Sequence, residues 1–283
     1  MLKELQDTKN RILVISPHPD DCEFSTGRLI MRRKGKNSFV ICLTDGRLGQ
    51  DGTPGKRIPE AQYAKLREAE SRKALKEFHV LDSSVYYFGL PDQDLVSNPY
   101  VVDKLFMLIK KINPDFVLIP PWEGAHPDHD AAHLFAIISL RNLGFSKDKI
   151  IEYGSYNNFE GEFKVQEFVP MGSDEEKLIP THNEQKRWTN IMEIFKSQVN
   201  QQRDYFPKSK FENYRILPSY DYSKLPYSSK NAEVLRELLS SFYPIVKKVL
   251  PKKSKMFYET WASINPKEVN DKLEGYIEHY GLK

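Results

Sequence analysis

"RILVISPHPDDCEFSTGRLIMRRKGKNSFVICLT", residues 11–44, decides the fold. It opens on a short β-branched apolar run, "RILVISP" (11–17), which reads as a buried strand, and closes on a second, "SFVICLT" (38–44). Between them "STGRLIMRRKG" (25–35) sets Leu29, Ile30 and Met31 among basic residues with a closing glycine, a helix signature. Strand, helix and strand in so short a span make the βαβ unit of a parallel sheet. The joint between first strand and helix carries the chemistry: His18, Asp20, Asp21 and Glu23 crowd together there. Adjacent carboxylates repel and resist desolvation, so the loop needs a compensating cation, and a metal ion is the natural one.

The same alternation continues outward. "EAQYAKLREAESRKALKEF" (60–78) has helical spacing, "VYYFGL" (85–90) is a strand and "YVVDKLFMLIKKI" (100–112) a helix. "DFVLIPP" (115–121) is again a strand and "AAHLFAIISLRNL" (131–143) a helix. The expectation is an α/β fold, a Rossmann-like, mostly parallel sheet flanked by helices. Past residue 150, "IIEYGSYN" and "FKVQEFVPM" read as strands and "EQKRWTNIMEIFKSQVNQQRDYF" (184–206) as one long helix. Residues 207–230, rich in Pro, Ser, Tyr and Lys, read as an extended loop, with helices over 231–250 and 267–280. This organisation predicts a Rossmann-like domain over 1–206 and a C-terminal helical and loop extension over 207–283, packed on the same domain.

Composition narrows the function classes. The 283 residues are 40% hydrophobic and 29% charged, ordinary for a soluble protein with a substantial core. A net charge of +3 gives no case for nucleic-acid binding, and the basic cluster "VKKVLPKKSK" (246–255) reads as solvated surface. Two cysteines, Cys22 and Cys42, make no disulfide framework and suit a reducing cytosol. No stretch reaches the roughly 18 apolar residues of a membrane span, and "MLKELQDTKNR" has no apolar leader. A soluble, cytoplasmic protein is expected, and a homo-oligomer is compatible with this composition. "TDGRLGQDGTPGKR" (44–57) matches neither the dinucleotide fingerprint nor the P-loop, so it does not point to nucleotide chemistry. It reads equally as a mobile loop over the site, from which Arg47, Lys56 and Arg57 reach a substrate, or as a plain connection.

A second motif answers the first. "FVLIPPWEGAHPDHDAAH" places His126, Asp128, His129 and Asp130 just after another apolar strand. In an open parallel sheet the loops at the carboxyl ends of the strands share one edge, so the two His-Pro-Asp units meet there. Catalytic zinc takes three protein ligands and leaves a position for water. His18 and Asp21, three apart with Pro19 restraining the backbone, reach one ion from a turn, and His129 is a natural third ligand. His133, one turn on, is an alternative third ligand but reads better as a packing residue. Cys22 reads better as core than as a soft ligand. Asp20 and His126 are left beside the metal, the first as general base, the second to stabilise an oxyanion or protonate a leaving amine. Glu23 and Asp128 are expected around the ligands, orienting them.

Taken together, "HPDDCE", "LTDGRLGQDGTPGKR", "REAE", "FGLPDQDL" and "AHPDHDAA" resemble, in running order, the zinc-dependent N-acetylglucosaminyl deacetylases of the LmbE-like and PIG-L family. The resemblance covers residues 10–140 and continues weakly through "EQKRWTNIMEIFKSQ". Cys22 after the paired aspartates is similar to the subgroup that includes bacillithiol-pathway deacetylases. The resemblance implies zinc, with iron as the alternative ion, at His18, Asp21 and His129. It implies Asp20 as base, His126 as acid or electrostatic stabiliser, and sugar contacts from Arg67 and Asp92. The substrate so implied is a small acetylated sugar, and the reaction is removal of acetate from an N-acetylglucosamine-type amide. The rival reading keeps the ligands and hydrolyses another amide or a phosphoester.

Overall fold

A computed structural model of the chain describes residues 1–50, 57–157, 159, 163–198, 205–223 and 266–282. After a short helix α1 (Leu2–Gln6), the first βαβ unit forms as its sequence dictates. β1 (Ile12–Ser16) and β2 (Ser38–Thr44) pair in parallel, Ile12 opposite Ser38 and Ser16 opposite Cys42, with α2 (Asp21–Arg33) crossing between them. Lys34 ends α2 in the left-handed conformation, and Gly35, at φ 65°, sends its N–H back to the Ile30 carbonyl. A Cβ on Gly35 would fall 2.1 Å from the His79 carbonyl oxygen, so only glycine fits that helix end.

β3 (Val85–Leu90) pairs with β2 after α3 (Glu60–Glu77). α4 (Val101–Ile112) then carries the chain back across to β4 (Phe116–Ile119), on the other side of β1, and α5 (Pro127–Asn142) leads on to β5 (Ile150–Tyr153). These five strands are parallel, as the alternation predicts. Because such crossovers are right-handed, reversing direction at β4 puts α4 and α5 on the opposite face from α2 and α3. The carboxyl ends of β1 and β4, where the chain order turns, define the switch point at which open α/β sheets bind ligands. β1 is buried along its whole length, as a strand covered on both faces must be.

The remaining strands depart from the expected pattern. A small pair, β6 (Tyr156–Asn157) and β7 (Lys164–Val165), follows β5. Then β8 (Glu175–Leu178), α6 (His182–Met192) and β9 (Glu212–Ile216) complete a seven-stranded sheet of order β3-β2-β1-β4-β5-β9-β8, the last two antiparallel to their neighbours. β9 lies inside the stretch expected as loop, because "ENYRI" has no apolar run. Its Glu212 and Arg215 are fully buried on charge partners instead. Glu212 accepts the backbone N–H groups of Arg28 and Leu29, and Arg215 donates from Nε to Glu152 at 2.6 Å.

Among the described residues of the helix expected over 184–206, only the stretch to Met192 is helical, as α6. A Thr181–Glu184 capping box starts it, and the chain leaves it after Met192. Downstream, Glu70 of α3 captures Ser197 through both its N–H (3.0 Å) and its hydroxyl (2.5 Å), a tertiary anchor that helical periodicity cannot foresee.

The chain groups into two units, Met1–Ser219 and Tyr220–Lys283. Residues 207–219, expected with the C-terminal extension, therefore belong to the first unit, since β9 lies in its sheet. In the second unit α7 (Pro266–His279) buries Val269, Leu273 and Ile277 at i, i+4 spacing. The glycine-rich segment 51–56, residues 199–204 and 224–230, the expected helix 231–250 and the basic cluster 246–255 lie outside the described residues. Among the described residues no helix is long and apolar enough to cross a membrane.

Candidate metal centre

The two His-Pro-Asp turns meet at the switch point. His18 follows β1, Asp20 caps α2, and Asp21 is that helix's first residue. His126 caps α5 with Pro127 in the first helical position, so the helix starts earlier than its apolar stretch and lifts His129 into its first turn. The three imidazoles cluster, with ring centroids 4.7 Å apart for His18 and His126, 5.3 Å for His18 and His129, and 5.5 Å for His126 and His129. All three are buried.

Two overlapping groups could hold an ion: His18, Asp21 and His129, or His18, Asp92 and His126. Hydrogen bonding separates them. The Asp128 backbone N–H donates to His126 Nδ1 at 3.2 Å, so the neutral ring carries its proton on Nε2 and has no lone pair to offer there. His126 is thereby a donor, not a ligand. In the first group, Asp21 Oδ2 lies 3.0 Å from His18 Nδ1 and 3.2 Å from His129 Nε2. Tetrahedral bonds of about 2.0–2.2 Å to nitrogen and oxygen set ligand atoms about 3.3–3.6 Å apart, so a shift of a few tenths of an ångström would seat an ion among these atoms. His129 Nε2 is buried and makes no hydrogen bond of proper geometry, as a nitrogen lone pair aimed at a cation would.

The surroundings orient these ligands. His18 Nε2 faces Asp92 Oδ1 at 3.1 Å and Asp128 Oδ2 at 3.3 Å, which places the ring proton there and turns Nδ1 toward Asp21. Asp128 also accepts the N–H groups of Gln93 (2.7 Å) and Leu95 (3.1 Å), fixing the turn that carries Asp92. Burial opposes a charge on His18, yet Asp92, Asp128 and Asp21 hold its pKa well above the usual histidine value. Groups that favour a proton so strongly favour a metal cation by the same field. Burial pushes the Asp21 carboxyl up, and His129 and His18 more than reverse it. For His126, burial and the neighbouring His18 and His129 push the pKa well down, keeping it neutral.

Asp20 stands beside the ligands with its Oδ1 2.7 Å from Arg67 Nη2. Burial raises its pKa and the Arg67 guanidinium opposes the rise. Arg67, from α3, is itself 4% exposed and donates from Nη1 to the Gly46 carbonyl at 3.0 Å. Gly46 has φ 62°, and a Cβ there would fall 2.1 Å from Arg67 Nη1, which explains a glycine in the loop after β2.

Other expected site residues are engaged by the protein itself. Asp92, besides facing His18, accepts the Leu48 N–H at 3.1 Å and is 6% exposed, so both implied sugar contacts, Arg67 and Asp92, are turned onto protein groups. Arg47 pairs with Asp45. Glu23, expected to orient a ligand, receives the Ser71 hydroxyl, which also contacts Tyr87 at 2.6 Å, and burial pushes its carboxyl up to about 8. His133 packs, its Nδ1 donating to the Pro120 carbonyl at 2.9 Å, and Cys22 is buried in the core. Tyr156, its ring centroid 5.3 Å from that of His129, was not legible in the sequence. Its one signal is its place just past the carboxyl end of β5.

A doubly wound α/β sheet with a His–Asp–His ligand set at its switch point, flanked by an arginine-paired aspartate and a neutral histidine, defines a candidate metallohydrolase. Residues 13–139, which carry both motifs, match the family model "PIG-L: GlcNAc-PI de-N-acetylase". Over 214 residues the chain is 28% identical to a diacetylchitobiose deacetylase of Thermococcus kodakarensis, covering 71% of this chain and 72% of the relative. Over 129 residues it is 33% identical to a probable N-acetyl-alpha-D-glucosaminyl L-malate deacetylase 2 of Bacillus subtilis, covering 44% of this chain and 57% of that protein. The solved N,N'-diacetylchitobiose deacetylase of Pyrococcus horikoshii superposes with a TM-score of 0.57 over 77% of this chain and 88% of that one; at 19% identity this likeness speaks to the fold.

Proposed function

We propose that this protein is a zinc-dependent N-deacetylase that hydrolyses the acetamide of an N-acetylglucosamine-type sugar, releasing acetate and the free amine. His18, Asp21 and His129 would hold the ion, which when bound polarises a carbonyl and acidifies a neighbouring water. The chain's own residues supply the proton traffic. Arg67 occupies Asp20 Oδ1 and favours its ionised form, leaving Oδ2 to take the proton of the attacking water. His126, held neutral with its proton on Nε2, donates from that atom toward the developing oxyanion or the departing nitrogen. Asp92 and Asp128 keep His18 in the tautomer that ligation needs.

The observation that carries this reading is the division of labour at one point. Three candidate ligand atoms converge, and two groups that ligation does not require lie beside them: Asp20, paired with Arg67, and His126, with its proton on Nε2. The names of the relatives support acetylated amino sugars as the substrate class. Two free, buried cysteines and the absence of a membrane-spanning helix among the described residues support a cytoplasmic location.

The test is acetate release from a panel of N-acetylglucosamine glycosides, with and without a chelator, beside Asp20→Asn. Release that the chelator abolishes, and that Asp20→Asn lowers by about 10²–10⁴ while metal content holds, is expected. Silence across the panel from protein with its metal bound overturns the assignment. Metal analysis of protein purified without added ions decides between zinc and iron.

A further inference from the structure

Tyr156 stands beside the candidate centre with no part in the chemistry above. Its ring centroid lies 5.3 Å from that of the ligand His129, the two planes inclined at 57°. The ring is held from several sides. Tyr156 pairs with Val165 across β6 and β7, and Phe163 and Tyr205, which pack against the hydrophobic core, back its ring at 6.1 and 5.6 Å. The next residue, Asn157, donates from its side-chain amide to the Glu167 carbonyl at 2.8 Å and to Glu123 at 3.3 Å. Glu123 lies in the loop that leads to His126, so its carboxylate ties together the segments that carry Tyr156 and His126.

The hydroxyl is what this packing leaves over. A tyrosine buried for its bulk still finds a hydrogen-bond partner for its O–H. Tyr153, three residues earlier, donates to the Ile15 carbonyl at 2.9 Å. Tyr63 donates to the Gly49 and Ser197 carbonyls, each at 2.9 Å, and Tyr214 to Glu212 at 2.7 Å. The Tyr156 hydroxyl has no such partner among the described residues, and the side chain is partly open. Burial pushes its pKa well up, and the carboxylates of Asp21, Asp20 and Asp92, which surround the centre, add to the rise, so the phenol end faces that group. A fixed O–H with no acceptor in the protein, next to a reaction centre, is a donor kept for a ligand.

Amide hydrolysis calls for two donors. Negative charge gathers on the carbonyl oxygen, and the nitrogen must take a proton to leave. An imidazole, with an ordinary pKa near 6.5, can pass its proton on at neutral pH, whereas a phenol near 10 keeps its proton and lends it only as a hydrogen bond. Arg67 and Arg47, the cations nearby, are turned onto Asp20 and Asp45. Resting on the deacetylase reading, we propose that Tyr156 is a further catalytic residue whose hydroxyl donates a hydrogen bond to the oxygen of the reacting acetamide. That bond strengthens as charge develops on the oxygen. No bond to the phenol forms or breaks, and its proton stays on Oη. His126 is then the acid toward the departing nitrogen.

Tyr156→Phe tests this on the metal-loaded protein, because phenylalanine keeps the ring against His129 and removes only the hydroxyl. On a glycoside that the wild type deacetylates, kcat should fall by about 10²-fold or more with KM nearly unchanged, since the donor acts chiefly on the transition state. Affinity for a methylphosphonamide of glucosamine, whose tetrahedral anionic group stands in for the oxyanion, should weaken by a similar factor, while affinity for glucosamine holds. Metal per chain and melting temperature should match the wild type. An unaltered kcat, or an unaltered affinity for the phosphonamide, overturns the proposal. A loss of activity that tracks a loss of bound metal also overturns it, and makes the ring a support for His129 instead. Wild-type protein that carries its metal and releases no acetate sinks the deacetylase reading itself, and the catalytic role of Tyr156 with it.

Discussion

Arg215→Met should cost the first unit a large share of its stability, and the structure gives the size. Arg215 is fully buried in β9; its Nε donates to Glu152 at 2.6 Å, its Nη1 to the Val169 carbonyl at 3.1 Å, and its Nη2 lies 3.2 Å from Glu123. Methionine keeps much of the volume, so packing loss is small and the cost is electrostatic. Glu152 at 0% and Glu123 at 2% side-chain exposure would lose their shared cation, and removing one partner of a buried pair costs about 3–5 kcal/mol. Against a total of roughly 5–15 kcal/mol that is a fifth or more, and at about 2–4 °C per kcal/mol the melting temperature should fall by about 6–20 °C.

The pH dependence tests the cause. Burial already pushes Glu123 up to about 8 despite Arg215. Without the guanidinium the folded-state Glu123 carboxyl rises further above the unfolded value near 4.5, so the folded variant keeps that proton to higher pH than the wild type does. Stability falls with pH in both proteins up to about 8 and goes on falling beyond it in the variant alone, so the variant's deficit should be smaller at pH 7 than at pH 9. Urea denaturation at both pH values, on chelator-treated protein, measures it. A deficit below about 1 kcal/mol, or one that grows toward acid pH, refutes the reasoning, since an uncompensated buried carboxylate must do the reverse.

Three further outcomes are expected. His129→Ala should lower the metal bound per chain by mass spectrometry and abolish acetate release, whereas His126→Ala should keep its metal and lose activity, because His129 Nε2 converges with Asp21 Oδ2 while His126 carries its proton on Nε2. His133 is held neutral, with burial pushing its pKa down to about 3. The unfolded chain takes up the proton first as pH falls through about 6.5, so stability should decline from there toward pH 3 by an amount on the order of a few kcal/mol, and His133→Gln should flatten that slope in urea midpoints. Thr181→Ala removes the side chain that accepts the Glu184 N–H at 3.2 Å and should cost about 1 kcal/mol in the same assay.

What the sequence determined by itself is the part governed by local periodicity. The runs at 12–16, 38–44 and 116–119 are apolar because parallel strands are covered on both faces, and their alternation with amphipathic helices points to a parallel sheet. In a parallel sheet the loops at the carboxyl ends of the strands share one edge, which places His18, Asp21 and His129 together. Where burial is bought with charge pairs, the pattern goes silent: β9 reads as loop because Glu212 and Arg215 are polar letters whose partners, Arg28, Glu152 and Glu123, lie far away in the chain.

Tertiary structure alone decided the rest. It ended α6 at Met192 and anchored Ser197 on Glu70. It placed Asp92 behind His18, and it set Tyr156 against His129, which no motif joins. It also gave His126 a tautomer, where the sequence had offered only the alternatives of an oxyanion stabiliser or an acid toward the leaving amine. A backbone N–H from the next turn selects the tautomer, and that hydrogen bond exists only once α5 has formed over the end of β4. Ligand identity follows from short motifs because a turn fixes their geometry; protonation state follows from neighbours that only the folded chain supplies.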